Sequence, residues 1–332
     1  MRFRPWRHPE FWPVAVLLLL WLVNALFTPN FARIEVKDGR LYGSMIDIVY
    51  RGAQVMLLAV GMAVVVATRG IDLSVGSVMA ICGAVAARLL VADHTPAVAI
   101  AAALGIALAL GLWNGTLVAL VGMQPIVATL ILLVAGRGLA QLITDGQIIT
   151  FRQPAFEALA RGALLGVPFP IWLTALVAGL VWLLMRTTAI GMYVEAIGGN
   201  ERAARLCGLR VGAIKLAAYV LSGICAGVAG LVATADIRAA DANNCGLYLE
   251  LDAILAVVLG GTSLLGGRIR LLGALTGALI MQTITTVLLM RNVDPAYALV
   301  VKAVVAVLVC MIYTPAFSRR IARLAHSEAS TA

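Results

Sequence analysis

Long apolar segments, separated by short polar ones, run along nearly the whole chain. About 20 apolar residues cross the hydrocarbon core of a bilayer as one helix. The predicted membrane spans are residues 12–28, 50–68, 72–92, 96–120, 124–143, 169–185, 214–234, 251–267, 271–290 and 297–314. The pattern therefore predicts an all-α polytopic membrane protein of about ten transmembrane helices, organised as a single transmembrane domain over residues 1–332.

Composition places much of this apolar surface in lipid. Hydrophobic residues make up 62% of the 332 residues and charged residues only 12%, against about 25% charge in a soluble domain. A single soluble core could not bury that much apolar surface. The net charge of +9 would suggest nucleic acid in a soluble protein, but here the basic residues flank the apolar segments. They indicate membrane orientation, a lipid bilayer as the surroundings and no nucleic-acid partner.

Basic residues also predict which ends face the cytoplasm. Three arginines precede the first span, and residues 28–30 do not form a small-x-small cleavage site, so this span is expected to stay uncleaved. With the N-terminus inside, basic residues concentrate in the inner segments. An even number of spans then places both termini in the cytoplasm, with 186–213 as the longest inner segment and 315–332 as a short cytoplasmic tail.

The lysines exclude an ATP-binding P-loop in this chain. Such a loop needs Gly directly before its Lys, but Lys37, Lys215 and Lys302 follow Val, Ile and Val, and there is no other lysine. No HExxH motif occurs, and the cysteines are scattered without a metal-ligand spacing. We therefore expect that the chain is not an enzyme and that it binds no metal or cofactor. Any ATP hydrolysis, with its Mg²⁺, would belong to another subunit.

The second and third predicted spans meet at a polar break that contains Asp72. A charged residue in an apolar setting is costly and usually functional. Two interpretations stay open. Asp72 and Ser74 could cap the following helix, with Asp72 paired to nearby Arg69. Alternatively, the break could be the end of a broken helix that lines a transport pathway.

A second glycine-rich stretch, residues 259–268, also joins two apolar segments. Its likeness to the break at 70–76 suggests an internal repeat, with the helix breaks near a substrate site. Close packing of helices through small residues is the alternative.

Polar side chains also lie inside the predicted spans, where they must face protein or water. Asn114, Arg137 and Gln141 are three of them, and the last two are one turn apart on the same helix face. Each could bind a polar substrate or form a hydrogen bond to a neighbouring helix.

The inner segment 187–209 predicts a short cytoplasmic helix. Residues 201–206 are good helix formers, 198–200 can start the helix, and Gly208 can end it. A short amphipathic helix held between two spans suits a groove on a soluble partner. It could equally lie on the bilayer surface.

This inner segment resembles the cytoplasmic loop of the ribose-type ABC sugar permeases, within the branched-chain amino acid and ribose permease superfamily. The matching residues are Thr188, Gly191, Ala196, Gly198, Asn200, Ala203, Ala204 and Gly208. Three further family motifs are present, at 70–76, 219–223 and 260–267. The resemblance covers nearly the whole chain.

More specifically, the chain resembles the galactofuranose branch of these permeases. Its motifs stand at residues 135–138, 141–144, 146–148, 235–238, 240–244 and 249–258. The resemblance implies a multi-pass inner-membrane permease subunit of an ATP-driven sugar importer. It also implies three kinds of partner: an ABC ATPase subunit that binds ATP and Mg²⁺, a periplasmic sugar-binding protein, and a second permease chain, identical or different.

By the same resemblance, the segment 195–208 would be the coupling helix that docks on the ATPase, and some of its residues would couple the permease to the ATPase. They are Glu195, Gly198, Asn200, Ala203, Ala204, Arg205 and Gly208. The candidate pathway residues are Asp72, Ser74, Asn114, Arg137, Gln141, Asn243, Asn244, Glu250 and Asp252. The outer acidic loop at 236–250 would face the binding protein.

Other functions stay open from the sequence. An ion-coupled secondary transporter could use Asp72 or Asp252 as its ion site. The same complex could instead carry ribose, another simple sugar, autoinducer-2 or a branched-chain amino acid. A purely structural membrane scaffold would not need so many polar residues and glycine breaks within its spans.

Overall fold

The computed structural model describes residues 11–28, 31–37 and 40–313 and is built almost entirely of helices. The helices in this part are α1 Phe11–Phe27, α2 Ser44–Ala67, α3 Val75–Val91, α4 Pro96–Ala119, α5 Pro125–Thr144, α6 Pro154–Arg161, α7 Phe169–Thr187, α8 Ala189–Gly199, α9 Glu201–Leu206, α10 Val211–Ile237, α11 Leu249–Leu259, α12 Leu271–Met290 and α13 Pro295–Tyr313. The predicted tail at 315–332 and the basic N-terminal residues lie outside the described residues.

Six strands of two or three residues form three antiparallel pairs in the described chain. The strands are β1 Glu35–Lys37, β2 Arg40–Tyr42, β3 Ile149–Thr150, β4 Ala163–Leu164, β5 Val167–Pro168 and β6 Ala239–Ala240. β1 pairs with β2 and β4 with β5, each across a short turn. The β3–β6 pair joins two segments distant in sequence, with Ile149 opposite Ala240.

Helix length and composition confirm an all-α polytopic membrane protein. Among the described residues, α2, α4, α5, α7, α10 and α12 are long and apolar enough to cross a bilayer, and α1 and α3 are shorter apolar helices. The outward faces of α4, α5 and α7 carry exposed leucines such as Leu108, Leu130 and Leu176, as lipid-facing helices do. The count of ten spans and the cytoplasmic placement of both ends stay predictions.

The predicted eighth span, residues 251–267, is wrong in its second half. The helix there, α11, ends at Leu259 and the chain continues without helix to Arg270. Two glycines follow α11, and Gly261 adopts φ +81°, which the helix cannot accommodate. Eleven residues of helix rise only about 16 Å, about half of a bilayer core.

Other element boundaries differ by smaller amounts. Helix α2 begins at Ser44, six residues before the predicted span, and α10 extends three residues beyond its predicted span at each end. The outer loop at 144–168 contains α6, whose Phe156 and Ala160 are buried one turn apart. The inner segment contains α8 as well as the predicted α9.

Helix α10 is the centre of packing in the larger of two compact units, which extends to Gln282. It packs against α2, α3 and α4. The crossing of α10 with α4 needs small residues, because a Cβ on Gly223 would lie 2.6 Å from the carbonyl oxygen of Ala107. Such close approach is typical of helix packing in membranes. The smaller unit begins at Thr283 and contains the end of α12 and α13.

Candidate functional site

The break between α2 and α3 presents a buried carboxyl group to the helix core. Asp72 is 2% exposed. Its Oδ1 accepts hydrogen bonds from the backbone N–H of Ser74 at 3.0 Å and from the Ser74 hydroxyl at 2.6 Å. Its Oδ2 accepts a hydrogen bond from the hydroxyl of Ser222 on α10 at 2.7 Å. Each carboxyl oxygen is therefore satisfied within the chain, as a buried polar group requires.

Asn114 of α4 joins the same cluster. Its amide nitrogen donates to the Ser74 hydroxyl oxygen at 2.7 Å. Its amide oxygen is buried and has no hydrogen-bond partner among the described residues. Three of the sequence-predicted pathway residues, Asp72, Ser74 and Asn114, thus meet at one point, with Ser222. We call this group the Asp72 cluster.

The predicted pairing of Asp72 with Arg69 is wrong. The side chain of Arg69 points to the inner segment and donates from Nε to the carbonyl oxygen of Gly198 at 2.7 Å. Ser74, not Asp72, is the residue that precedes helix α3 as its cap. Residues 68–74 are not helical, so the chain turns between Arg69 and Asp72. Their side chains therefore form hydrogen bonds with different residues.

A second cluster lies at the end of α5. Arg137 donates to the carbonyl oxygens of Ala242 and Cys245, at 3.1 and 2.6 Å. One turn later, the amide nitrogen of Gln141 donates to Oδ1 of Asn243 at 2.8 Å. The prediction that Arg137 and Gln141 share a helix face is confirmed, and both side chains bind the loop that follows β6.

Asp241 organises that loop internally. It accepts hydrogen bonds from the backbone N–H groups of Asn243 and Asn244 and from the Asn244 side chain, the last at 2.7 Å. Although burial alone would raise it, the bonds from Asn244 and Asn243 and the nearby charge of Arg137 hold the pKa of Asp241 below its ordinary value. The loop therefore carries a stable negative charge that complements Arg137.

Glu250 and Asp252 lie at the start of α11 and are both buried. Oε2 of Glu250 has no hydrogen-bond partner in the part of the chain that the structure describes. A Cβ on Gly76, in the first turn of α3, would lie 2.5 Å from this oxygen. Glycine at 76 therefore lets α3 pass directly beside Glu250 and brings the second cluster close to the start of α3.

Two cavities with carboxyl groups in their linings open beside the end of α10. One, of about 370 Å³, is lined by Gln54, Asp236, Asp241 and Asn244 among others. The other, of about 300 Å³, lies between α2, α6 and α10 and also includes Asp236. Each is of the size of small-molecule sites, and their linings combine carboxyl, amide and guanidinium groups that can bind hydroxyl groups.

The predicted helix of the inner segment is confirmed as α9, Glu201–Leu206. Asn200 caps it, since its side-chain oxygen accepts a hydrogen bond from the N–H of Ala203 at 3.1 Å. Gly208 follows the helix with φ +81°. Of the predicted coupling residues, Ala204 is buried and Asn200, Ala203 and Arg205 are exposed.

An ion pair joins α9 to α10. Lys215 Nζ lies 2.6 Å from Oε2 of Glu201, and Arg205 lies 2.8 Å from Oε1 of the same carboxylate. The hydrogen bond from Lys215 holds the pKa of Glu201 below its ordinary value; burial opposes this, and the bond from Arg205 adds to it. The carboxylate is therefore charged at neutral pH and fixes α9 against the start of α10.

Sequence reasoning missed the partners that complete these clusters. Ser222 and Lys215 both lie on α10 and were not among the candidate site residues, although Ser222 falls within the family motif at 219–223. A serine inside an apolar helix is a recognisable signal, because it needs a hydrogen-bond partner there. Nothing in the local sequence indicated that the partner would be Asp72, 150 residues away. No group of three or more His, Cys, Asp or Glu side chains among the described residues could hold a metal ion.

Residues 44–310 match the family model described as branched-chain amino acid transport system / permease component. A galactofuranose transporter permease, YtfT of Escherichia coli K12, is 52% identical over 315 residues, which cover 95% of this chain and 92% of that protein.

Two further relatives are less similar in sequence. The fructose import permease FruF of Bifidobacterium longum is 38% identical, over 92% of this chain and 87% of its own length. The ribose import permease RbsC of Escherichia coli K12 is also 38% identical, over 90% of this chain and 91% of its own length.

Proposed function

Because the chain belongs to the family of branched-chain amino acid transport system permease components, we propose that it is the membrane-spanning permease subunit of an ATP-driven sugar importer. Galactofuranose is the proposed cargo. The observation that carries this proposal is the 52% identity to a galactofuranose permease over 95% of the chain, against 38% to permeases for fructose and ribose. The protein is a multi-pass protein of the inner membrane.

The proposed complex contains an ABC ATPase subunit, a periplasmic sugar-binding protein and a second permease chain. ATP and Mg²⁺ belong to the ATPase, and this chain is the transport subunit. The exposed residues of the capped helix α9, with Asn200, Ala203 and Arg205, support docking of the ATPase there. Both termini lie in the cytoplasm in the proposed arrangement of ten crossings, and the crossing that contains α11 is helical over only part of its length.

On the outer side, the loop after β6 supports contact with the binding protein. Asp241, Asn243 and Asn244 form a hydrogen-bonded turn that Arg137 and Gln141 hold from α5. Carboxyl and amide groups at this loop and in the adjoining cavities can bind the hydroxyl groups of a monosaccharide as it leaves the binding protein. We place the sugar pathway from these groups toward Glu250 and the Asp72 cluster.

Uptake of labelled sugars by cells tests the proposal. Cells with the intact chain are compared with a deletion strain, and galactofuranose is supplied first, followed by galactopyranose, ribose and arabinose. We expect galactofuranose uptake that disappears on deletion, survives an uncoupler and stops when ATP is depleted.

Two outcomes would contradict parts of the proposal. If the cells take up ribose or arabinose but no galactofuranose, the proposed cargo is wrong and the proposed ABC permease function stands. Uptake that collapses with the ion gradient while ATP stays high would overturn the ATP-driven mechanism and identify Asp72 and Asp252 as candidate ion sites.

A further inference from the structure

Arg69 reaches from the end of α2 to the end of α8. Its Nε donates to the carbonyl oxygen of Gly198 at 2.7 Å, and its Nη2 donates to that of Gly199 at 2.6 Å. These are among the last carbonyls of α8, whose last residue is Gly199. Carbonyls at a helix C-terminus lack partners within the helix and attract a positive charge. The planar guanidinium binds both of them at once, which an ammonium group cannot do with fixed geometry.

The second glycine-rich stretch closes around the same point. The backbone N–H of Gly267 donates to the carbonyl oxygen of Ala67 at 3.0 Å. A Cβ on Gly198 would collide with that carbonyl and with the nitrogen of Gly267. A Cβ on Gly266 would collide with the side chain of Arg69. The ends of α2 and α8 and the loop after α11 are thus in direct backbone contact.

A third contact fixes the loop to α8. The backbone N–H of Ile269 donates to Oε1 of Glu195 at 3.1 Å. Glu195 lies one turn before the two carbonyls that Arg69 binds. The end of α8 is therefore fixed on two sides, by Arg69 and by the loop, and it leads directly into Asn200 and helix α9.

From Arg69 the chain continues in three residues to Asp72. The Asp72 cluster binds α10 through Ser222 and α4 through Asn114. The break between α2 and α3 is therefore held at its inner end by α8 and at its outer end by the core helices. Short backbone between two such fixed ends can carry a displacement from one to the other.

We propose that Arg69 is a positioning residue that links the inner segment to the Asp72 cluster, so that movement of α8 and α9 shifts the start of α3. The inference rests on the proposed function for its transport consequence. Its structural part, the link between the two segments, does not depend on the cargo.

Transport coupling is tested in the complete complex, reconstituted in lipid with its ATPase and binding protein. The variants are Arg69→Gln and Arg69→Lys, with Arg186→Gln as a control. Arg186 is an exposed arginine whose guanidinium lies over the ring of Trp182 and donates to neither of the two carbonyl oxygens that Arg69 binds. The measurements are co-purification of the ATPase, basal ATP hydrolysis, hydrolysis with sugar-loaded binding protein, and uptake.

We expect Arg69→Gln to lower uptake and stimulated hydrolysis at least about tenfold, because Arg69 makes two charge-assisted hydrogen bonds and the loss of even one corresponds to about that factor. Co-purification and basal hydrolysis stay near wild type, because the exposed residues of α9 are unchanged. Arg69→Lys keeps the charge but loses the two-carbonyl geometry, so it retains an intermediate activity. Arg186→Gln behaves as wild type.

Two glycines of the loop provide a matched pair. Gly266→Ala and Gly267→Ala both place a side chain at positive φ, at +82° and +110°. Only the first displaces the Arg69 side chain, since a Cβ on Gly267 meets open space. We expect Gly266→Ala to reproduce the loss of stimulated hydrolysis and Gly267→Ala to keep more of it, even though its backbone strain is at least as large.

Hydrogen exchange of the purified chain tests the link without cargo or nucleotide. In Arg69→Gln we expect faster exchange at 196–200, where the hydrogen bonds to α8 are lost. We also expect faster exchange at 70–76, because the link joins the end of α8 to the start of α3. Faster exchange at 196–200 alone would overturn the link, and so would unchanged stimulation and uptake. Parallel loss of co-purification and basal hydrolysis would also overturn it, by showing that Arg69 serves docking alone. If the wild-type complex transports no sugar but the exchange result holds, the proposed function fails and the link stands.

Discussion

The hydrogen bond between Ser222 and Asp72 connects α10 to the break between α2 and α3, and its contribution to stability can be measured directly. Ser222→Ala removes the donor but leaves Oδ2 of Asp72 buried, since Ser222 is the donor to that oxygen. A buried acceptor left without its partner costs about 1 to 3 kcal/mol. We therefore expect Ser222→Ala to lower the free energy of unfolding by about 2 kcal/mol.

The same substitution should cost much less once the carboxyl group is gone. In the Asp72→Ala background, Ser222→Ala removes only a hydroxyl that can turn to its own helix, so we expect a loss of about 0.5 kcal/mol. The double-mutant cycle then gives an interaction free energy of about 1.5 kcal/mol. The effect is large compared with the contributions of residues that do not touch, which add within about 0.5 kcal/mol.

The assay is equilibrium unfolding of the purified chain in mixed micelles with increasing SDS, followed by circular dichroism. Thr144→Val is the control, because the Thr144 hydroxyl is buried but bonds to the carbonyl oxygen of Ala140 on its own helix, at 3.2 Å. Its effect should be the same with and without Asp72. An interaction free energy below about 0.5 kcal/mol for Asp72 and Ser222 would refute the reasoning, since the effects of the two single substitutions would then simply add.

Two further predictions concern the inner segment. Gly198→Ala forces a methyl group into the end of α2, so we expect ATP-driven uptake to fall about tenfold from overpacking, whereas Gly199→Ala, whose Cβ meets open space, keeps it near wild type. The pKa of Glu201 is lowered from 4.5, first by its hydrogen bond from Lys215, against burial. A carboxyl group whose pKa is lower in the folded than in the unfolded state stabilises the fold at pH values above its unfolded-state pKa. This stabilisation is lost as the pH falls through the folded-state pKa. Hydrogen exchange of α9, corrected for its intrinsic pH dependence, should therefore rise below about pH 4.5, and in Glu201→Gln it should not.

Each of these has a contrary outcome. Equal uptake by the two glycine variants would show that the contact between α8 and α2 is dispensable. If α9 of the wild-type chain exchanges at the same corrected rate at pH 7 and pH 4, the ion pair with Lys215 does not hold this helix in place.

Local chemistry was sufficient to predict α9, although the coupling helix expected over 195–208 is divided at Asn200 into the end of α8 and α9. Asn200 supplies an N-cap, the residues after it favour helix, and Gly208 ends it at positive φ, so every signal for Glu201–Leu206 lies within the segment itself. The spans were predicted for a similar reason, since an apolar run of about 20 residues has few stable alternatives in lipid. At 251–267 the apolar composition was followed through the glycines at 260 and 261, and the prediction ran eight residues past the end of the helix at Leu259.

Partners across the fold could not be predicted in this way. Asp72 and Arg69 are three residues apart and opposite in charge, so sequence spacing favours pairing them. The structure separates them because the backbone between them is not helical, and each side chain finds a partner far away: Arg69 on Gly198, 129 residues on, and Asp72 on Ser222, 150 residues on. Spacing rules hold only where the backbone conformation is known.

The structure explains why the two stretches are rich in glycine. The sequence allowed two interpretations of these stretches: helix breaks beside a pathway, or close packing of helices through small residues. At the inner end of α2 the same residues both break the helix and pack closely. Helix α2 ends there in non-helical backbone, the loop after α11 closes against it, and the contacts are so close that Gly198 and Gly266 have no room for a Cβ. Glycine at these positions therefore serves contact between fixed segments. A displacement of α8 must move the end of α2 with it, and any substitution that adds volume at Gly198 should alter transport before it alters the stability of the membrane helices.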